Sequence, residues 1–138
     1  METHIFTKAQ AASTGVEQGI GAKCRAAKEL MSVGDYEAAR MALGDLWAGI
    51  GARPKIEGLP PSGQAELLLR AGALSGWLGS SNQIPGAQAF AKDLISESIR
   101  HFDALGDVEK VAEAQSDLAL CYWREGAMDE ARVWFREA

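Results

Sequence analysis

Two stretches of this chain superimpose without a gap. Aligned on Gly34 and Gly126, SVGDYEAARMAL lies over REGAMDEARVWF. In each, a small residue (Ala27, Ala119) is followed three positions later by a large one (Leu30, Tyr122). Beyond the glycine comes an alanine (Ala39, Ala131) and, four positions on, a large apolar residue (Leu43, Phe135). A middle copy reads Ser75, Leu78, Ala91 and Ile95, with four extra residues in its turn. Small residues at the crossing of two antiparallel helices let the backbones approach, and large ones fill the space beside it. A sequence built this way is confined to repeated helical hairpins, each packing on its neighbour.

Helical periodicity runs through the rest of the chain. Val16, Ile20, Cys24, Ala27, Leu30 and Met31 recur at offsets of three and four. Thr14-Gly-Val-Glu17 before them has the form of a capping box. Gly34 is placed to close this first helix and Asp35 to cap the next. The second helix is expected to carry Tyr36, Ala39, Leu43, Leu46, Trp47 and Ile50. GIGARPKIEGLPPSGQ, with three of the four prolines, reads as a loop. A third helix from about Gln64 to Leu78 is apolar on most sides, so it should be central. Gly72 and Gly76 within it are costly in a helix and imply that another backbone packs close. GSSNQIPG is the next loop, with Pro85 suited to the first turn of a fourth helix that runs on through Phe90, Ile95, Phe102 and Leu105. Gly106-Asp107 ends that helix. A fifth contains Val111, Leu118 and Tyr122, and a sixth Met128, Ala131 and Phe135. No segment alternates as a strand would. The expectation is an all-α chain of six helices in three antiparallel hairpins.

The pattern resembles the tetratricopeptide repeat, whose signature runs W-x2-L-G-x2-Y, then A-x3-F, then P. Leu118, Ala119, Tyr122, Ala131 and Phe135 stand at the matching places in the third unit, with Gln115 in the tryptophan position. Ala27, Leu30, Ala39 and Leu43 match in the first. The usual spacing is about 34 residues; the alanines here are 52 and 40 apart, and no unit has the terminal proline. The second interval is similar to the long-helix variant found in kinesin-light-chain-like scaffolds and in sensor regions of bacterial regulators. The resemblance implies a single domain over residues 1–138, with units at about 15–50, 63–105 and 107–138. It implies a short right-handed superhelix, an α-solenoid, and a protein–protein interaction module that binds a peptide or protein segment on a concave surface. The alternative it leaves open is the sensor or regulatory region of a larger signalling or transcription-regulating protein.

By position, the concave surface would present Cys24, Arg25 and Lys28 from the first unit, and Glu113, Ser116, Asp117, Leu120, Trp123 and Arg124 from the third. The residues expected to meet a partner are Arg25, Lys28, Asp117, Leu120, Trp123 and Arg124. Some family members clamp a terminal carboxylate with lysine, arginine and asparagine. Lys28 and Arg25 could hold an anion, but no asparagine matches, and Asp117 and Glu113 would repel one. Tyr122 occupies the packing position, so Trp123 should face another side, and an exposed Trp beside Arg is a common hot-spot composition.

No other chemistry is expected. His4 and His101 have no partner at metal spacing, and Cys24 and Cys121 form no C-x-x-C pair. Each cysteine sits in an apolar helical pattern, as a buried thiol in a reducing compartment would. GWLGSS lacks the lysine of a phosphate loop. The sequence thus predicts no enzyme, no cofactor and no metal. A net charge of −5 and a pI near 5.0 argue against nucleic acid as a partner. METHIFTKAQ lacks the apolar core of a signal peptide, and no run is long enough to span a bilayer, so a cytoplasmic location is expected. The final helix stops at Ala138 with no polar capping helix after it. The chain is therefore expected to be a fragment of a longer array, its exposed C-terminal repeat covered by a second copy as a homodimer.

Overall fold

A computed structural model describes residues 7–126 and 128–138, with side chains from residue 19 onward except those of Met128 and Asp129. The described residues form six α-helices and no strand: α1 (Thr7–Ser32), α2 (Tyr36–Leu43), α3 (Pro61–Ser81), α4 (Ala87–Ala104), α5 (Val108–Arg124) and α6 (Met128–Glu137). The expected all-α class is therefore observed.

Local chemistry sets most of the ends. Gly34, at φ 81°, donates to the Met31 carbonyl at 3.0 Å, and Asp35 N donates to the Leu30 carbonyl at 2.9 Å. Asp35 Oδ1 then accepts from Ala38 N at 3.2 Å and opens α2. Asp107 does the same for α5, accepting from Lys110 N at 3.1 Å. Each carboxylate satisfies an amide that the first turn leaves free.

Packing follows the chain. Each helix contacts the next along the chain, as α1·α2, α2·α3, α3·α4, α4·α5 and α5·α6, and α3 also touches α1 and α5. Thirteen of the 21 residues of α3 are buried, which makes it the central element its apolar periphery predicts. It feeds two cores. Leu67, Leu68, Ala71, Leu74 and Leu78 join Ile20, Cys24, Ala27, Ala39, Leu43 and Trp47 in the first. Ala65 and Leu69 join Ala91, Ile95, Phe102, Ala114, Leu118 and Cys121 in the second. A fully buried leucine stabilises by about 1.5–3 kcal/mol relative to exposure, so a helix with two such faces cannot leave the interior cheaply. All six small positions of the repeat, Ala27, Ser75, Ala119, Ala39, Ala91 and Ala131, are buried. Gly72 meets the backbone of α4 as expected: a Cβ there would lie 3.2 Å from Ile95 N.

Several expectations are corrected. The first helix begins at Thr7, so Thr14–Glu17 lies inside it rather than at its start; their side chains lie outside those described, as does that of Val16. The second helix stops at Leu43 instead of continuing to Ile50. Gly44 turns at φ 60°, a short 3-10 turn spans Gly44–Leu46, and Trp47 is extended. Burial wins over helix continuation here: the Trp47 side chain enters the first core while Nε1 donates to the Ala52 carbonyl at 3.0 Å. The following loop is built in by buried Pro54 and Ile56. Arg53 ties it to α4 through two hydrogen bonds to Glu97, at 2.9 and 2.6 Å. Pro85 lies in the turn before α4, which begins at Ala87. In α6 it is Trp134 that packs on the second core, whereas Phe135 is 47% exposed. The side chain of Met128 lies outside those described.

Candidate functional site

α3 is in contact with both α1 and α5. Lys28, Met31 and Ser32 of α1, Arg70 and Trp77 of α3, and Glu113 and Asp117 of α5 line an open groove of about 350 Å³. Offsets of three, four and seven place each set on one side of its helix.

The floor of the groove is an ion cluster around Arg70. This arginine is only 3% exposed, in the otherwise apolar run LLLRAGAL. Its Nη2 donates to Glu113 Oε2, and its Nε lies 3.6 Å from Glu66 Oε2 without a hydrogen-bond partner. Lys110 reaches Glu66 at 2.6 Å and Glu113 at 3.3 Å, and Lys28 reaches Glu113 at 3.2 Å. A buried charge is tolerated only when paired, and here two carboxylates answer three cations. Burial pushes the Glu113 carboxyl up, but Arg70, Lys110 and Lys28 more than reverse this and hold it at about 2.

The other end is aromatic. Trp77 stacks on Tyr36 with centroids 5.2 Å apart and ring planes 7° from parallel. Arg124 lies over the Trp77 ring, 4.2 Å from its centroid. Its Nη1 donates to Gln88 Oε1 at 3.2 Å and to Cys121 Sγ at 3.7 Å. Gln88 Nε2 in turn donates to the Gly76 carbonyl at 2.9 Å. A Cβ at Gly76 would come within 2.5 Å of Arg124 Nη1. The glycine therefore makes room for the side chains of Arg124 and Gln88, not for a second backbone as the sequence implied.

Asp117 differs from its neighbours. It lines the groove, and among the described residues it makes no hydrogen bond or ion pair. Burial raises its carboxyl to about 6, with Glu113 adding to the rise and Arg70, Arg124 and Lys28 opposing it.

Comparison with family models, curated proteins and solved structures gave no match to this chain.

Of the six residues singled out from sequence, Lys28 and Asp117 line the groove together. Arg124 sits beside it, spent on Trp77 and Gln88. Arg25 opens into a neighbouring pocket of about 190 Å³ with Gly21, Cys24, Lys28, Glu66 and Lys110. Leu120 is half-buried and Trp123 is 54% exposed; neither lines the groove. Tyr122 packs on the second core, so the two aromatic neighbours do face different sides. Sequence reasoning missed Arg70, Glu66 and Lys110. The signal for Arg70 was available: a lone arginine in a helix expected to be buried needs a carboxylate from elsewhere.

Both cysteines are buried and free, and burial raises each thiol to about 11, so neither is a thiolate nucleophile at neutral pH. Among the described residues no group of three or more His, Cys, Asp or Glu side chains is placed to hold a metal, and no helix is long and apolar enough to cross a membrane.

Proposed function

We propose that this chain is a non-enzymatic helical-repeat interaction module, working in the cytoplasm, that holds a segment of a protein partner against the α1–α3–α5 face. In this reading the three helix pairs stack as tetratricopeptide-like hairpins. The shared burial of Ala27, Ser75, Ala119, Ala39, Ala91 and Ala131 supports that stacking. The observation that carries the function is the groove itself. Three helices place Lys28, Trp77 and Asp117 around an open cleft whose floor is fixed by the Arg70 ion cluster. Such a surface is formed in advance, so an extended segment can dock without reorganising it.

A photo-crosslinking amino acid placed at Ser32, on the groove, and separately at Met41, exposed on α2, tests the proposal. A partner captured from position 32 and not from position 41 supports it. Capture from 41 alone, or equally from both, rejects the groove as the binding face.

A further inference from the structure

We propose that the groove accepts a lysine or arginine side chain of the partner segment, its alkyl stem beside Met31 and Trp77 and its charged end on the Asp117 carboxylate. This rests on the interaction-module reading and specifies the chemistry the partner must bring.

The argument is one of matched and unmatched charge. Lys28 and Arg70, the two cations that line the groove, are both engaged by Glu113, and Arg70 also by Glu66. Arg124 is held on the Trp77 ring and on Gln88. Glu113 is surrounded by Arg70, Lys110 and Lys28. Asp117 alone among the charged groove residues has no ion pair or hydrogen bond among the described residues. It lies one helical turn beyond Glu113 on the same face of α5. An occupant of the groove strips water from Asp117, and a carboxylate covered without a partner is costly. A cation restores what water supplied. An anionic occupant would share Lys28 with Glu113 and would face Asp117 as a like charge. Met31, and the part of Trp77 that Tyr36 and Arg124 leave uncovered, line the same groove as Asp117 and suit the methylene stem of a long basic side chain. At about 350 Å³ the groove is at the low end of the range for small binding sites. It has room for one side chain and the backbone that carries it.

Selection of displayed, terminally capped random peptides on the intact chain tests this. The expected binders carry Lys or Arg at one fixed position beside an apolar residue. Replacing that basic residue by Gln should weaken binding by about tenfold or more, and Asp117→Asn should cause a loss of the same size in the protein. Circular dichroism checks that the variant is folded. Ser32→Trp, which fills the groove mouth, should block the same peptides. Binders without a basic residue that Ser32→Trp still blocks overturn the proposal and leave the interaction module standing. Binders indifferent to Asp117→Asn also overturn it. A selection that yields no binder overturns both.

Discussion

The guanidinium of Arg124 on α5 lies 4.2 Å from the centre of the Trp77 ring on α3, and it does so because residue 76 has no side chain. A desolvated contact of this type is worth up to about 2 kcal/mol. Gly76→Ala adds a methyl group where Arg124 Nη1 now sits. The obstacle is the far end of a flexible side chain, so Arg124 should swing away. The alanine gains about 1 kcal/mol of helix propensity against the lost contact, and net stability should change by less than about 1 kcal/mol. The indole N–H resonance of Trp77 should shift, and an unmoved resonance would show that Arg124 does not depend on this glycine.

Gly72 is the opposite case. An added Cβ would meet Ile95 Cγ1 at 2.7 Å and the Ile95 backbone nitrogen at 3.2 Å. A backbone cannot rotate aside, so α3 and α4 must part. Gly72→Ala is expected to destabilise by about 1–3 kcal/mol, read from the urea midpoint. A stabilised variant would mean that the two helices are not in this close contact.

Arg70→Met removes the central cation of the floor and leaves Glu113 and Glu66 to Lys28 and Lys110. Breaking a buried pair by removing one partner costs about 3–5 kcal/mol. The two lysines soften this, so about 3 kcal/mol is expected. Pairing the change with Glu113→Gln should recover a good part of the loss. If the double variant is no more stable than Arg70→Met, the two side chains are not coupled.

The pH dependence of stability carries two opposite signs. Glu113 is lowered from 4.5 to about 2 in the folded chain, so it contributes stability above its unfolded value that is lost as pH falls toward 2. Asp117 is raised from 3.8 to about 6. Its contribution is present below its unfolded value and is lost as pH rises through about 6. Asp117→Asn should therefore stabilise the chain by about 1–2 kcal/mol near neutral pH, with the gain shrinking as pH falls from about 6 to about 4. Urea titrations across that range would show it. A difference that stays constant with pH would mean that Asp117 is not shifted. Binding of a basic peptide should weaken over the same interval, as Asp117 takes up its proton.

Much of the fold was legible because it depends on short-range signals. Apolar offsets of three and four marked the helices, and the glycine–aspartate pairs at 34–35 and 106–107 marked the turns. What failed was longer in range. The end of α2 depends on the Trp47 side chain finding the first core and on Ala52 offering a carbonyl, which no local pattern encodes. The placing of Trp134 rather than Phe135 against the second core is a difference of one position, or about 100° around a helix. Lys28, Asp117 and Arg124 were singled out by their places on the repeat; Lys28 and Asp117 line the groove and Arg124 does not. The contacts of Lys28 and Arg124 were not legible there, because each meets a residue on another helix, Glu113 and Trp77. Glu113, which neutralises Lys28 and Arg70, lies 85 and 43 positions away from them in sequence.

The depth at which each groove residue sits sets how such a surface can evolve. Arg70 is almost fully enclosed, and changing it disturbs the ion cluster beneath the cleft. Lys28, Ser32 and Asp117 border the cleft and belong to neither core. Selection for a new partner can rewrite these walls one residue at a time, while the floor stays as it is. A lineage of such chains would then share its scaffold and diverge in what it recognises.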